Sequence, residues 1–238
     1  MSESMLSAAD RAALADLMAS RANVYRLLSR CYRSEMDAML AREIADEFAF
    51  ETDDDTLATA LTAMRAALAD ADEDALEQLA VTFDRVFFGM GPLTARHAFP
   101  YESVYTSDKG ILMQEAYTSV ARTYREQSLA KDASFTEPED HLAVELAFMA
   151  TLADRARAFL EAGDASGDAA AEETLAQSLA FARTHLLNWI DRFCAELERA
   201  ATPEGEGAGT GDGGFYGALA RFTVVFVAGD AALLEETL

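Results

Sequence analysis

Thr136-Glu137-Pro138-Glu139-Asp140-His141 runs without a break into Leu142-Ala143-Val144-Glu145-Leu146, and the junction reads as a helix entrance. Thr136 and Glu139 stand at the spacing of a capping box, and Pro138 suits a first helical turn, where a missing N–H is no loss. Beyond it Leu142, Leu146, Met149, Leu152 and Phe159 recur at helical spacing until Gly163 offers a stop.

The same period governs the chain on both sides. Upstream, Ser7 and Asp10 open a helix in which Leu14, Leu17, Val24, Leu27, Leu28 and Cys31 recur to about Tyr32, with Arg21 breaking the stripe. Shorter helices are predicted over 36–48, from the acids Asp53-Asp54-Asp55 through Leu68, and over 72–88. A further helix is expected over 111–127, with Leu112, Ala116, Val120 and Tyr124 inward. Downstream, a small connector at 164–167 leads into one long helix carrying Leu175 to Leu197. The last helix is expected over 215–238, where the β-like run Val224-Val225-Phe226-Val227 is outvoted by its helical surroundings. The expectation is all-α: a single-domain bundle of about eight to ten helices over 1–238, with no sheet.

Composition agrees. Ala, Leu, Glu, Asp and Arg dominate, and half of the 238 residues are hydrophobic. A formal net charge of −23 opposes nucleic acid and anionic lipid; it either attracts a basic peptide or protein or serves only to keep the chain soluble. Cys31 and Cys194 sit in separate helical patterns and read as buried free thiols. The first residues lack the basic start and apolar core of a signal peptide, and no apolar run is read as membrane-spanning, so stable membrane insertion is not expected and a cytoplasmic setting is.

Between the helices lies one long irregular stretch, 89–107, which holds Pro92 and Pro100, two of the four prolines, and His97, one of the three histidines. Loops of this length in a compact helical chain are commonly functional. Its end, Pro100-Tyr101-Glu102-Ser103-Val104-Tyr105, alternates rings with small polar groups, either pinning the loop or meeting a ligand. The glycine-rich stretch 203–214 and the connector 127–136 are the places where a helix could swap between two copies, so a monomer or a domain-swapped dimer is expected.

Sites of chemistry are few. His141 and Glu145, four apart, have the spacing of half a metal site, but without a second pair a helix-surface hydrogen bond explains them better. No phosphate loop and no glycine-framed nucleophile is present, so the motifs call for no metal, no cofactor and no catalytic residue. Asp140-His141, at a helix entrance, remains as the candidate site. The competing reading is a helical hydrolase or nucleotide-binding protein using Asp140, His141 and Glu145.

These residues resemble the TorD/DmsD family of redox-enzyme maturation chaperones. Glu137-Pro138-Glu139-Asp140-His141 matches that family's acid–proline–Asp-His corner, except that here the acid directly precedes the proline. Tyr101-Glu102-Ser103-Val104-Tyr105 matches its aromatic-x-Ser-x-aromatic segment, and Phe87-Phe88-Gly89-Met90-Gly91-Pro92-Leu93 the lead-in. His185-Leu186-Leu187-Asn188-Trp189 and Phe215-Tyr216-Gly217-Ala218-Leu219 agree as well. The resemblance implies a non-catalytic cytoplasmic chaperone that binds the twin-arginine signal peptide of a molybdenum-cofactor enzyme precursor and holds the client back until it is loaded. Asp140 with Glu137 or Glu139 would then meet the guanidinium groups. Phe88, Pro92, Leu93, Pro100 and Tyr101 would form apolar walls, and His141 would orient Asp140 or bond the peptide backbone. Ser103, Tyr105 and Pro138 complete the expected set.

Overall fold

The computed structural model describes residues 6–91, 95–202 and 214–238. Five of its helices start on a side-chain cap of the kind that gathers acids at the positive helix end. Ser7 and Asp10 form a reciprocal capping box at α1 (Ala8–Arg33). Asp37, Asp54 and Asp72 cap α2 (Ala38–Arg42), α3 (Asp55–Ala66) and α4 (Glu73–Phe87). Asp164 caps α8 (Ala165–Phe181), so the expected connector at 164–167 is already the first turn of that helix. Part of the chain's acidity therefore serves helix starts.

The remaining helices are α5 (Glu102–Thr106), α6 (Glu115–Glu126), α7 (Leu142–Ala162), α9 (Ile190–Ala201) and α10 (Gly214–Thr237). Among the described residues there is no strand; an isolated antiparallel bridge joins Tyr101 to His141. The all-α expectation holds. The predicted irregular stretch is shorter than read, because α5 begins at Glu102.

α1 lies along α7, and α10 packs against α3 and α9. Met18, Tyr25, Leu28 and Tyr32 of α1 are buried with Leu146, Met149 and Leu152 of α7 and Phe222 of α10. Arg21 does not break the apolar stripe: it is buried on it. Its Nε and Nη2 meet the two Asp230 oxygens of α10 at 2.5 and 2.8 Å, and the Tyr25 hydroxyl donates to the same carboxylate at 2.7 Å. Charge on an apolar face is tolerated here because its partner comes from 209 residues away.

α10 also corrects the reading that no apolar run reaches membrane length. Its 24 residues have a mean hydropathy of 1.6 in their most apolar window, and 61 % of that window is buried inside the fold. Gly163, in the left-handed conformation at φ 77°, ends α7 as its sequence predicts. The helix expected through Leu175 to Leu197 is broken instead. A π turn at Ala182–Leu186 and a bend before α9 turn His185 and Trp189 into the core. Cys31 and Cys194 are buried free thiols, and burial pushes the Cys31 thiol up to about 12. The glycine-rich stretch lies, except for Gly214, outside the described residues.

Candidate functional site

The helix entrance at 136–141 is not built as its sequence suggests. α7 begins at Leu142, and its N-cap is His141, whose Nδ1 accepts the Ala143 N–H at 3.1 Å. The Thr136–Glu139 capping box does not form, because residues 138–142 are hydrogen-bonded elsewhere. The Glu102 N–H donates to the Asp140 carbonyl at 3.0 Å, and the Leu142 N–H to the Pro100 carbonyl at 2.8 Å. The His141 N–H closes a tight turn onto Pro138 at 3.1 Å. The two motifs that stand out in the sequence, 100–105 and 137–141, are thus bonded to each other.

Side chains reinforce the bridge. The Asp140 carboxylate accepts the Ser103 N–H at 3.0 Å and the Ser103 hydroxyl at 2.5 Å through Oδ2, while its buried Oδ1 has no partner. Burial raises the Asp140 carboxyl above the ordinary value despite those bonds. Ser103 Oγ also accepts the Gln114 N–H at 3.0 Å, tying in the approach to α6. Across the bridge, the Tyr101 hydroxyl donates to Glu137 at 2.6 Å, and its ring meets His141 edge-on at 4.9 Å. Phe135 meets the other side of His141 at 5.1 Å. Enclosed by rings and facing Lys131, the imidazole is pushed down to about 3 and stays neutral. With Nδ1 accepting a hydrogen bond, its proton sits on Nε2.

Beneath the bridge lies a group of acids that sequence reasoning passed over. Glu102 is buried and accepts from His185 Nδ1 and Asn188 Nδ2, both at 2.9 Å. Glu145 is fully buried near Glu102 and Trp189, and neither of its oxygens makes a well-formed hydrogen bond. Burial first, then the charges of Glu102 and Asp140, push the Glu145 carboxyl well above the usual range, so it holds its proton. The predicted His141–Glu145 bond on a helix surface is absent: both side chains are buried, and His141 Nδ1 accepts the Ala143 N–H instead. His185-Leu186-Leu187-Asn188-Trp189 was visible as a motif, but its link to Glu102 depends on the π turn.

The predicted site residues therefore separate. Pro100, Tyr101, Ser103, Glu137, Pro138, Asp140 and His141 come together at the bridge. Tyr105 faces the other way, stacked on Trp189 at 5.4 Å with its hydroxyl on Glu196. Phe88 is exposed beside Phe83, in a loop that also exposes Met90 and Phe99; Pro92 and Leu93 lie outside the described residues. Of the acids, Asp140 is wholly buried, whereas Glu137 and Glu139 are only partly buried, at the rim. Lys131 holds the rim, donating to the Glu137 carbonyl and lying 4.0 Å from Glu139. A cavity of about 210 Å³ adjoins it, lined by Tyr124, Leu129, Lys131, Phe135, Val144 and Phe148 among others. The connector expected as a hinge, 127–136, forms one wall of that cavity and is fixed by Arg33, which bonds Asp132 and lies over the Phe135 ring. Asp140 and His141 are not bonded to each other: Asp140 accepts from Ser103, and His141 from the Ala143 N–H.

The family described as nitrate reductase delta subunit matches residues 51–195, more than half of the chain and both bridged motifs. Chaperone protein TorD of Shewanella pealeana is 28 % identical over 237 residues, covering 92 % of this chain and 91 % of that one. Chaperone protein TorD of Photobacterium profundum is 30 % identical over 214 residues, covering 84 % and 90 %. The chain belongs to the TorD chaperone family. Chaperone protein TorD of Shewanella oneidensis, 29 % identical with 94 % of both chains covered, extends the match across nearly every helix. As a TorD-family chain it is a redox-enzyme maturation chaperone and not an enzyme.

Proposed function

We propose that the bridged corner binds the twin-arginine signal peptide of a molybdenum-cofactor oxidoreductase in the cytoplasm and retains the precursor until its cofactor is in place. The observation that carries this reading is the joining of 100–105 to 137–141, which sets partly buried acids beside apolar side chains. Two guanidinium groups followed by an apolar run need that combination: carboxylate forks and then apolar walls. Glu137 and Glu139 supply the rim charge, and the −23 net charge draws a basic segment toward it. Phe88, Met90 and Phe99 supply exposed apolar surface upstream. Asp140, Ser103 and His141 fix the corner's backbone and stand behind the rim, and Pro100, Tyr101 and Pro138 shape it.

Calorimetry with a synthetic twin-arginine peptide tests the reading. Binding is expected at roughly micromolar Kd, near −8 kcal/mol. It weakens as salt rises and when both arginines are replaced by glutamine. Glu137→Gln lowers affinity and flattens the salt dependence. Affinity indifferent to salt, to the arginines and to Glu137 would overturn it.

A further inference from the structure

α5 is little more than one turn long and has no side-chain cap at Tyr101, so it does not hold itself in place. Two neighbours hold it. On one side the 137–141 arm accepts the Glu102 N–H on the Asp140 carbonyl and the Ser103 N–H on the Asp140 carboxylate, both at 3.0 Å. On the other side runs the segment from the π turn into α9. There His185 Nδ1 and Asn188 Nδ2 each donate to the Glu102 carboxylate at 2.9 Å. Near the far end of α5 the Tyr105 ring lies on Trp189, and Arg192 donates to the Tyr105 carbonyl. Glu102 is thus bonded both ways, by its N–H to the arm and by its carboxylate to the π turn. The π turn aims His185. The Leu187 N–H reaches the Ala182 carbonyl at 2.8 Å, one residue further than an α-helical bond, and each residue of offset turns the side chains by about 100°. Trp189 Nε1 donates to the His185 carbonyl at 2.6 Å and fixes the turn. Burying a carboxylate is a poor route to stability. A carboxylate 2 % exposed, with two donors brought to it, serves placement.

We propose that His185 and Asn188 are positioning residues: through Glu102 they hold α5, and with it the bridged corner, in register with the 137–141 arm. The inference deepens the proposed function by naming what sets the geometry of that site, and rests on that reading only for its effect on peptide affinity. The two donors differ in a way that makes them separable. His185 is buried against Phe181, whereas Asn188 is an exposed residue that reaches in to Glu102. A change at Asn188 therefore alters the hold on Glu102 while sparing the core.

Two readouts on the full chain separate placement from stability. The NMR amide resonances of Glu102, Ser103 and Leu142, the donors of the bridge, report whether it is closed. Calorimetry with a synthetic twin-arginine peptide reports the consequence. His185→Leu fills the space but offers no donor. Asn188→Asp keeps the shape and sets a second carboxylate against Glu102. In both, the three resonances are expected to move to the positions of unbonded amides while those of α1 stay. The peptide's Kd is expected to rise about tenfold, the worth of one hydrogen bond to a carboxylate. His185→Asn, whose side-chain N–H can stand where Nδ1 stands, is expected to recover both. Resonances and affinity unchanged in His185→Leu and Asn188→Asp, with only the urea midpoint lowered, overturn the inference. So does a loss in His185→Leu that His185→Asn does not recover. Shifted resonances with unchanged affinity, or no binding of the peptide to the wild-type chain, overturn the proposed function, and the resonances alone then decide the positioning.

Discussion

Replacing Glu145 by glutamine tests the buried acids directly. The side chain is fully buried without a well-formed hydrogen bond, and its carboxyl is raised well above the ordinary 4.5 by burial and by Glu102 and Asp140. Above pH 4.5 the unfolded chain releases this proton while the folded chain keeps it. Stability therefore falls by about 1.4 kcal/mol per pH unit until the folded group titrates. His141 acts in the opposite sense. Its folded value of about 3 lies below the ordinary 6.5, so its contribution is complete above pH 6.5 and falls by about 1.4 kcal/mol per unit as pH drops below that. Between pH 4.5 and 6.5 the two slopes cancel. Glu145→Gln preserves shape and neutrality but removes only the first slope. The variant's advantage over wild type should grow by about 2 kcal/mol from pH 5 to pH 6.5 while Glu145 stays protonated. Urea unfolding at a series of pH values measures it, followed by the emission of Trp189, the single tryptophan and a buried one. Asp140, also raised, contributes equally to both proteins and drops out of the difference. Parallel stability–pH curves for the two proteins would refute the protonated Glu145.

Three further outcomes rest on packing. Asp230→Ala strands the Arg21 guanidinium and the Tyr25 hydroxyl in the core and should lower unfolding stability by about 3–5 kcal/mol, whereas Arg21→Met with Asp230→Leu should restore most of it in the same urea titration. Gly167→Ala would place a Cβ 2.4 Å from the Phe159 carbonyl oxygen and should lower the melting temperature, with a loss of about 1–3 kcal/mol. Gly229→Ala, in open space on α10, should raise the melting temperature, with a gain in stability of up to about 1 kcal/mol.

Periodicity and caps were enough to read the elements that stabilise themselves locally. Asp72 and the apolar stripe behind it mark α4 within a residue at each end, and Gly163 marks the end of α7. What local reading missed was decided by distant partners. The capping box at Thr136 loses to backbone bonds with Pro100 and Glu102, which are invisible to a pattern of neighbours. The π turn at 182–186 leaves the apolar period almost intact while re-aiming His185. Ile111 and Leu112 fit a helical stripe, yet Gly110 and the left-handed Met113 put them outside the helix. At the site, the residue types were legible and their depth was not. Acids are read as surface by default, and Glu102, Asp140 and Glu145 are all buried. Asp140→Ala, which a surface reading treats as harmless to the fold, would remove a tie of the bridge, and His141→Ala would remove the cap of α7.

The Arg21–Asp230 pair has a bearing on how the chain reaches this state. It joins the first long helix to the last across 209 residues, and the ends of so long a loop meet only at a high entropic cost. α1 cannot finish desolvating its buried arginine until α10 is present, and α10 also covers α3 and α9. A chain emerging from the ribosome therefore carries an incomplete bundle until α10 has been made, with the faces of α3 and α9 that it packs against uncovered. A protein that matures other proteins spends its own synthesis in need of shelter.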